Sequence, residues 1–363
     1  VGISALAAIT TGDQNVAIGN EAGKQLTEGQ QNVFIGVEAG ENPTTGVGQV
    51  GIGYRALRNA TNTGDFQNTA VGYTAGINIT SGGLNVLVGG AAGDSLTTGS
   101  KNVAVGHNAL AGEDAHDNNV AIGYYALSSL NAGADGFNVA VGANAGDTLT
   151  TGTQNVLVGY QAGDALTTGI RNVAIGHQAL STEDTANDNV AIGDAALGSS
   201  DGGNNNVAIG HQAATAITDG ANHVAIGSNA VVGTTGERNV SIGSGAGHGL
   251  TTGDDNVCIG ATVGDTLAAA EDNIFIGSFV AYDTGGNNPN ANLAIGVRAA
   301  NTITSGANNV LLGHNAGLNI TTGSSNVAAG YKSSYSVSTG VENVSLGYEA
   351  LYTNQQGDQS VGI

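Results

Sequence analysis

The stretch Asn15-Val16-Ala17-Ile18-Gly19 decides the fold, because close copies of it recur along the whole chain. Most consecutive copies begin 17 residues apart. A fixed period in this range is typical of a solenoid, in which each repeat buries its apolar face on its neighbours. The sequence therefore predicts an all-β protein, a parallel β-solenoid of about 21 coils. Because the repeat runs without a break, we expect a single continuous repeat domain over residues 1–363.

Composition and charge exclude several functional classes. The net charge is −21, from 29 acidic and 8 basic side chains, so we expect no nucleic-acid partner, since such a partner requires a basic surface. No apolar run approaches the roughly 20 residues of a membrane-spanning helix, so we expect no direct membrane insertion of this segment. Cys258 is the only cysteine, which excludes a disulfide framework within the chain.

Both ends of the chain lie inside a repeat. Val1-Gly2-Ile3 and Val361-Gly362-Ile363 have the phase of the Val-x-Ile-Gly pattern, and the chain contains no Met. Solenoids normally carry polar capping repeats at their ends, and none is visible here. We therefore expect a segment of a longer fibre, or subunits that stack end to end.

Each repeat is numbered here from the residue equivalent to Asn15, which is position 1. Position 5 is Gly in all twenty complete repeats, which predicts a backbone constraint such as a positive φ or a close approach of another chain. Position 1 is Asn in eighteen of them, and stacked equivalent positions lie ~4.8 Å apart in such a coil, so we expect a structural ladder of amides. Its members include Asn15, Asn32, Asn68, Asn85, Asn102, Asn119, Asn155 and Asn172.

Position 3 suggests an oligomer. Positions 2 and 4 are Val, Ile or similar residues, so position 3 should point the other way and be polar if it faced water. It is instead apolar in nearly every repeat, which predicts a strand buried on both faces. We expect positions 2 and 4 to fill the coil and position 3 to form an oligomer interface. The predicted interface residues are Ala17, Phe34, Leu87, Ala104, Leu157, Ala174, Cys258, Phe275 and Leu311.

The rest of each repeat predicts a second, shorter strand near positions 8 to 14. Many repeats have Gly at position 9 and Leu or Ile at position 12, as in Leu96-Thr97-Thr98-Gly99. Six repeats place Leu at position 9 instead, and five of these lack the later aliphatic residue. We infer a core slot that takes one large aliphatic side chain per coil from either position.

The segment Gly12-Asp13-Gln14-Asn15-Val16-Ala17-Ile18-Gly19-Asn20-Glu21-Ala22 has the form Gly-x-x-Asn-Val-Ala-Ile-Gly-x-x-Ala. This pattern resembles the head repeats of YadA-like trimeric autotransporter adhesins and similar repeat arrays in phage tail fibres. The resemblance implies a left-handed parallel β-roll in which three chains wind side by side, a homotrimer. The repeat here is longer than in the adhesin heads, and the segment lacks their neck, stalk and membrane anchor.

Position 6 carries the candidate ligand residues. Tyr and His recur there and could form a stripe on which sugars stack, although such residues also cover corners and subunit seams. The candidates are Tyr54, Tyr73, His107, Tyr124, Tyr160, His177 and His211. We expect no metal site, no cofactor and no catalytic group, so the protein is not predicted to be an enzyme. The acidic loops and the Thr rows leave calcium binding or ice binding as minor alternatives.

Together these features predict a structural or adhesive extracellular fibre segment, a shaft or head at a cell surface or on a virion. Its expected partners are further copies of itself and a glycan or protein surface. The alternative is a non-adhesive filament or spacer whose coils stack end to end.

Overall fold

The computed structural model describes residues 1–61, 67–133, 135–231 and 233–363. The described residues are all-β and contain no helix. Their contacts divide the chain into two units, Val1–Asn187 and Asp188–Ile363. Each unit is a parallel β-solenoid with one short strand per coil, which confirms the predicted fold class.

The strands all occupy positions 2 to 4 of their repeats. The first unit contains β1 Val16–Ile18, β2 Val33–Ile35, β3 Val50–Ile52, β4 Thr69–Val71, β5 Val86–Val88, β6 Val103–Val105, β7 Val120–Ile122, β8 Val139–Val141, β9 Val156–Val158 and β10 Val173–Ile175. The second contains β11 Val190–Ile192, β12 Val207–Ile209, β13 Val224–Ile226, β14 Val240–Ile242, β15 Val257–Ile259, β16 Ile274–Ile276, β17 Leu293–Ile295, β18 Val310–Leu312, β19 Val327–Ala329, β20 Val344–Leu346 and β21 Val361–Gly362.

Successive strands within a unit pair in parallel and in strict register. Val16, Ala17 and Ile18 of β1 lie opposite Val33, Phe34 and Ile35 of β2, and the later pairs follow the same rule. The repeat length sets this register, because a slip of one residue would turn every side chain to the other face. Equivalent positions therefore form columns along each unit.

The prediction of which strand face is inside is wrong. Position 3 is buried in every strand from β1 to β20, whereas positions 2 and 4 are partly or largely exposed. The predicted interface residues Ala17, Phe34, Leu87, Ala104, Leu157, Ala174, Cys258, Phe275 and Leu311 are therefore core residues of a single chain. Two apolar faces cannot be told apart by polarity alone, and this is why the sequence pattern misassigned them.

Among the described residues, positions 8 to 14 do not form the predicted second strand. That segment is a series of turns, and the pairing found there is an isolated bridge between Asp201 and Thr218. The shared core slot is present. A Cβ built on Gly264 at position 9 would lie 2.7 Å from Cδ1 of Leu267 at position 12, so both positions reach the same space. Leu57 and Leu110, which stand at position 9, are fully buried.

The corners explain the invariant glycine of position 5. These glycines have φ between 121° and 147°, a range that L side chains rarely adopt. A Cβ on Gly159 would also lie 2.3 Å from the carbonyl oxygen of Gly176 in the next coil. The predicted backbone constraint thus has two causes, the positive φ and a close approach from within the same chain.

The predicted Asn ladder is present, and it is buried from Asn32 onward. Asn32 Nδ2 donates to Asn15 Oδ1 at 3.0 Å and to the Gly46 carbonyl at 2.7 Å, while the Asn32 backbone N–H donates to the same Asn15 Oδ1 at 3.0 Å. Asn155 repeats this pattern towards Asn138 and Gly169. Each amide thus binds the preceding coil and closes its own turn, which satisfies polar groups that would be costly to bury unpaired.

Candidate functional site

The candidate ligand residues form short aromatic stacks on the surface. Tyr54 and Tyr73 lie 5.1 Å apart between ring centroids, with 19° between their planes. His107 and Tyr124 are 5.7 Å apart, and Tyr160 and His177 are 5.6 Å apart with 12° between their planes. The column of position 6 therefore stacks rings along the first unit, as the parallel register requires.

His211 does not join these stacks. It is exposed, and its neighbours in the position-6 column are Asp194 and Ser228, neither of which carries a ring. The structure thus brings six of the seven candidates together in pairs and leaves His211 apart.

The second unit holds an aromatic cluster that extends beyond position 6. His314, Tyr331 and Tyr348 stack in that column at 5.5 and 5.2 Å. Tyr335 and Tyr352, at position 10, stack beside them at 4.8 Å. These position-10 residues are not among the residues predicted from the sequence, although their spacing of 17 residues is visible there.

Lys332 lies among these rings. Its Nζ is 5.2 Å from the centre of the Tyr331 ring, 5.6 Å from that of Tyr335 and 5.7 Å from that of Tyr352. These are cation–π distances, and Glu349 lies 3.9 Å from the same Nζ. The ammonium group is thus held within the cluster.

The outer strand face is an exposed apolar surface of each unit. Positions 2 and 4 are Val, Ile or Leu in most coils, and several of these side chains are more than a third exposed, including Ile18 at 47% and Ile122 at 38%. In the parallel register they form two adjacent apolar columns. Contiguous exposed apolar surface of this kind marks interaction sites rather than ordinary protein surface.

The acidic loop at Glu113 is organised by its own backbone. Glu113 occupies position 12 and is fully buried, and its Oε1 accepts from the backbone N–H groups of Asp114, Ala115 and His116 at 3.0 to 3.3 Å. His116 Nδ1 lies 2.8 Å from the same oxygen.

Glu113, Asp114 and His116 also bring possible metal ligands within 4.8 Å of one another. The three N–H dipoles already point at Glu113 Oε1, so this oxygen is set up to organise the loop rather than to bind a cation. Glu183 stands at the equivalent place 70 residues later, where Ala186 replaces the histidine. The carboxylate is therefore retained without the third ligand.

The Thr rows at position 13 use their hydroxyl hydrogens within the protein. Thr27 Oγ1 donates to the Thr44 carbonyl at 3.0 Å, and Thr150 Oγ1 donates to the Thr167 carbonyl at 2.9 Å. The same bond joins Thr251 to Ala268. Thr recurs at position 13 because its hydroxyl links each coil to the next through a hydrogen bond.

Two other side chains of types that often carry chemistry are structural. Cys258 is fully buried, and burial raises the pKa of its thiol to about 12, so it is a packed core side chain. His223 replaces Asn in the ladder: its backbone N–H donates to Asn206 Oδ1, its Nε2 lies 2.7 Å from the Gly236 carbonyl, and its Nδ1 accepts from the Asn239 N–H at 3.3 Å. The imidazole thus copies the amide contacts.

No model of a known protein family matches the chain, and a comparison with curated proteins finds no relative. Within the described ranges, no helix is long and apolar enough to cross a membrane. Two exposed features of the molecule suit contact with a partner, the outer strand face and the aromatic column of position 6.

Proposed function

We propose that the protein is a structural segment of an extracellular fibre, built from three copies of the chain and able to contact cell or host surfaces. The observation that carries the proposal is the outer strand face, whose Val and Ile columns are exposed in a single chain. The resemblance of the repeat to trimeric adhesin heads and tail-fibre arrays points to three chains and to a cell-surface or virion location.

The energetics favour covering this face. Burying the exposed part of a Val or Ile side chain contributes up to roughly 1 kcal/mol, and positions 2 and 4 of the ten strands of the first unit are all Val or Ile except Thr69. Association costs on the order of 4–15 kcal/mol in lost translational and rotational freedom. Even partial burial of the columns would offset that cost.

The repeat itself favours a copy of the same chain as the partner. The columns recur once per coil, at the ~4.8 Å spacing of a β-sheet. A partner whose side chains interdigitate with these columns along a whole unit must have the same spacing. A second copy of the chain has this spacing because it has the same repeat. Closed cyclic symmetry then lets each chain cover the face of the others.

A filament of coils stacked end to end is the competing function. Such a filament would extend the parallel, in-register pairing that joins each coil to the next within a unit. The trimer and the filament differ in solution, because a trimer has a fixed mass and a filament grows with concentration.

The proposed assembly is tested by placing charge on the outer face. The variant carries Val88→Glu, Ile122→Glu and Ile175→Glu, all at position 4 and all partly exposed in the single chain. We expect it to sediment as a monomer with an unchanged strand signal in circular dichroism, because buried unpaired carboxylates oppose association but not coil formation.

The matched control adds the same charge at exposed polar sites. It carries Gln154→Glu, Gln178→Glu and Gln212→Glu. This control should sediment like the unmodified protein. If the position-4 variant keeps the mass of the unmodified protein, the outer face is not the interface. If it grows into longer assemblies, end-to-end stacking holds the fibre instead.

A further inference from the structure

We propose that two gaps in the position-6 aromatic column of the first unit are slots, each of which holds one pyranose ring of a neutral glycan between two aromatic faces. This inference rests on the proposed contact with cell or host surfaces and names the ligand class and the residues that bind it.

The first slot lies at Gly90. Tyr73 precedes it by one coil and is 63% exposed, and His107 follows it by one coil and is also exposed. The far face of Tyr73 stacks on Tyr54 and that of His107 stacks on Tyr124. Each of the two walls, Tyr73 and His107, is therefore supported by stacking on a second ring. The other face of each wall points along the column towards Gly90.

The second slot lies at Ala143 and repeats this arrangement. Tyr124 and Tyr160 are its walls, with exposures of 56% and 50%. Tyr124 is backed by His107 and Tyr160 by His177. Tyr125 meets Tyr124 edge-on at 4.5 Å and so holds that wall from the side. Only a methyl group occupies the floor.

The height of each slot admits one ring between its walls. Walls two coils apart are separated by about 10 Å, twice the strand spacing, and carbon–carbon contacts need ~3.5–4.0 Å on each side. A puckered pyranose chair can contact both walls through its C–H groups, while its hydroxyls project to the side.

The surroundings favour a neutral ligand. The position-7 side chains beside the slots are uncharged, and they include the hydrogen-bonding groups of Thr74, Asn108, Asn144 and Gln161. The net charge of −21 opposes sialylated, sulfated or phosphorylated ligands. Two equivalent slots on one unit would also increase the avidity for a glycan that is itself repetitive.

The test fills the slots with a residue that the column already accepts. Gly90→Tyr and Ala143→Tyr would continue the stacks, since Tyr stands at position 6 in neighbouring coils. A Cβ on Gly90 would meet only His107 Cδ2, at 3.4 Å, so the substitution fits the backbone. Ser228→Tyr is the matched control, because it adds a ring at position 6 of the second unit, where the neighbouring residues His211 and Ser244 do not form a pair of aromatic walls.

The measurement is binding to a printed array of neutral hexose oligosaccharides, with sialylated and sulfated glycans as the anionic arm. We expect the unmodified protein and Ser228→Tyr to bind neutral glycans equally, and the double variant to lose at least tenfold in apparent affinity. The proposal is overturned if the unmodified protein binds no neutral glycan, if it binds only anionic ones, or if both variants behave alike.

Sedimentation of the same samples separates this proposal from the proposed assembly. If all three proteins have the trimer mass while the double variant binds as well as the unmodified protein, the slots are wrong and the fibre assembly stands. If the samples are monomeric and the unmodified protein still binds neutral glycans more tightly than the double variant does, the slots stand and the proposed trimer is wrong.

Discussion

At the scale of single residues, the Asn ladder links sequence to structure most directly. Each side-chain amide has an Nδ2 group with two N–H donors and an Oδ1 acceptor, and all of them are used. Oδ1 accepts from the backbone N–H of the ladder residue in the next coil, and Nδ2 donates to Oδ1 in the preceding coil and to a carbonyl in its own turn. His223 is informative because it meets the same requirements with a larger ring. Its coil is one residue shorter than most, and its Nε2 reaches Gly236 at a sequence separation of 13 where Asn uses 14.

The ladder position of His223 predicts an acid-sensitive coil. Burial lowers the pKa of His223 below its usual 6.5, and Nδ1 must stay unprotonated to accept from the Asn239 N–H. As the pH falls below about 6.5, the unfolded chain binds the proton first, so stability is lost from there down to the lowered pKa of the folded state. The slope approaches ~1.4 kcal/mol per pH unit for one such group.

His223→Asn should therefore reduce the fall in the melting temperature between pH 7.5 and pH 5, because an amide does not titrate. Thermal unfolding followed by circular dichroism measures this. His211→Asn is the control, since His211 is exposed, and it should behave like the unmodified protein. An equal fall in all three proteins would mean that His223 does not set the acid sensitivity.

At the scale of the coil, the sequence predicted the repeat, the strand, the corner glycine and the shared aliphatic slot, but not which strand face is inside. Both faces are apolar, so polarity carried no information about which face is inside. The sizes of the side chains did carry this information. The large Phe34 and Phe275 at position 3 occur in coils whose position 12 is Pro43 or Thr284, and Leu at position 9 occurs with Gly, Ala or Ser at position 3. Such compensation of volume implies that positions 3, 9 and 12 fill one core.

The predicted second strand failed for a different reason. Positions 7 and 9 adopt left-handed backbone conformations even where they are not Gly, as in Glu21 with φ 60° and Leu57 with φ 49°. These conformations cost energy for ordinary residues and are held by hydrogen bonds between coils, such as Glu38 N–H to the Asn20 carbonyl at 2.8 Å. The conformational preferences of the individual residues therefore do not predict these left-handed conformations. The aromatic stacks, by contrast, follow from the spacing alone.

The shared slot predicts a non-additive pair of substitutions at Gly264 and Leu267. Gly264→Leu alone should destabilise the protein by roughly 1–3 kcal/mol, because its side chain overlaps Leu267. Leu267→Ser alone should cost roughly 2–5 kcal/mol through the cavity it leaves. The double variant should cost less than the sum by about 0.5–3 kcal/mol, since the new Leu refills the slot. Denaturant unfolding of the four proteins gives the comparison, and simple additivity would refute a shared slot.

At the scale of the whole molecule, charge and apolar surface oppose each other. The 29 acidic side chains make separate chains repel each other. The outer strand face, however, carries apolar columns whose exposure to water is unfavourable in free energy. In the proposed trimer the apolar columns turn inward and the charged loops stay in water. The proposed assembly should therefore become tighter as salt screens the acidic surfaces.

The most direct test of this account is the mass of the unmodified protein in dilute solution, measured by sedimentation equilibrium at micromolar concentration and physiological salt. The proposed trimer should give a single species of three times the chain mass of 35.5 kDa, unchanged when the protein is diluted tenfold. A species of 35.5 kDa under these conditions would contradict it, because the outer strand face would then be stable in water without a partner.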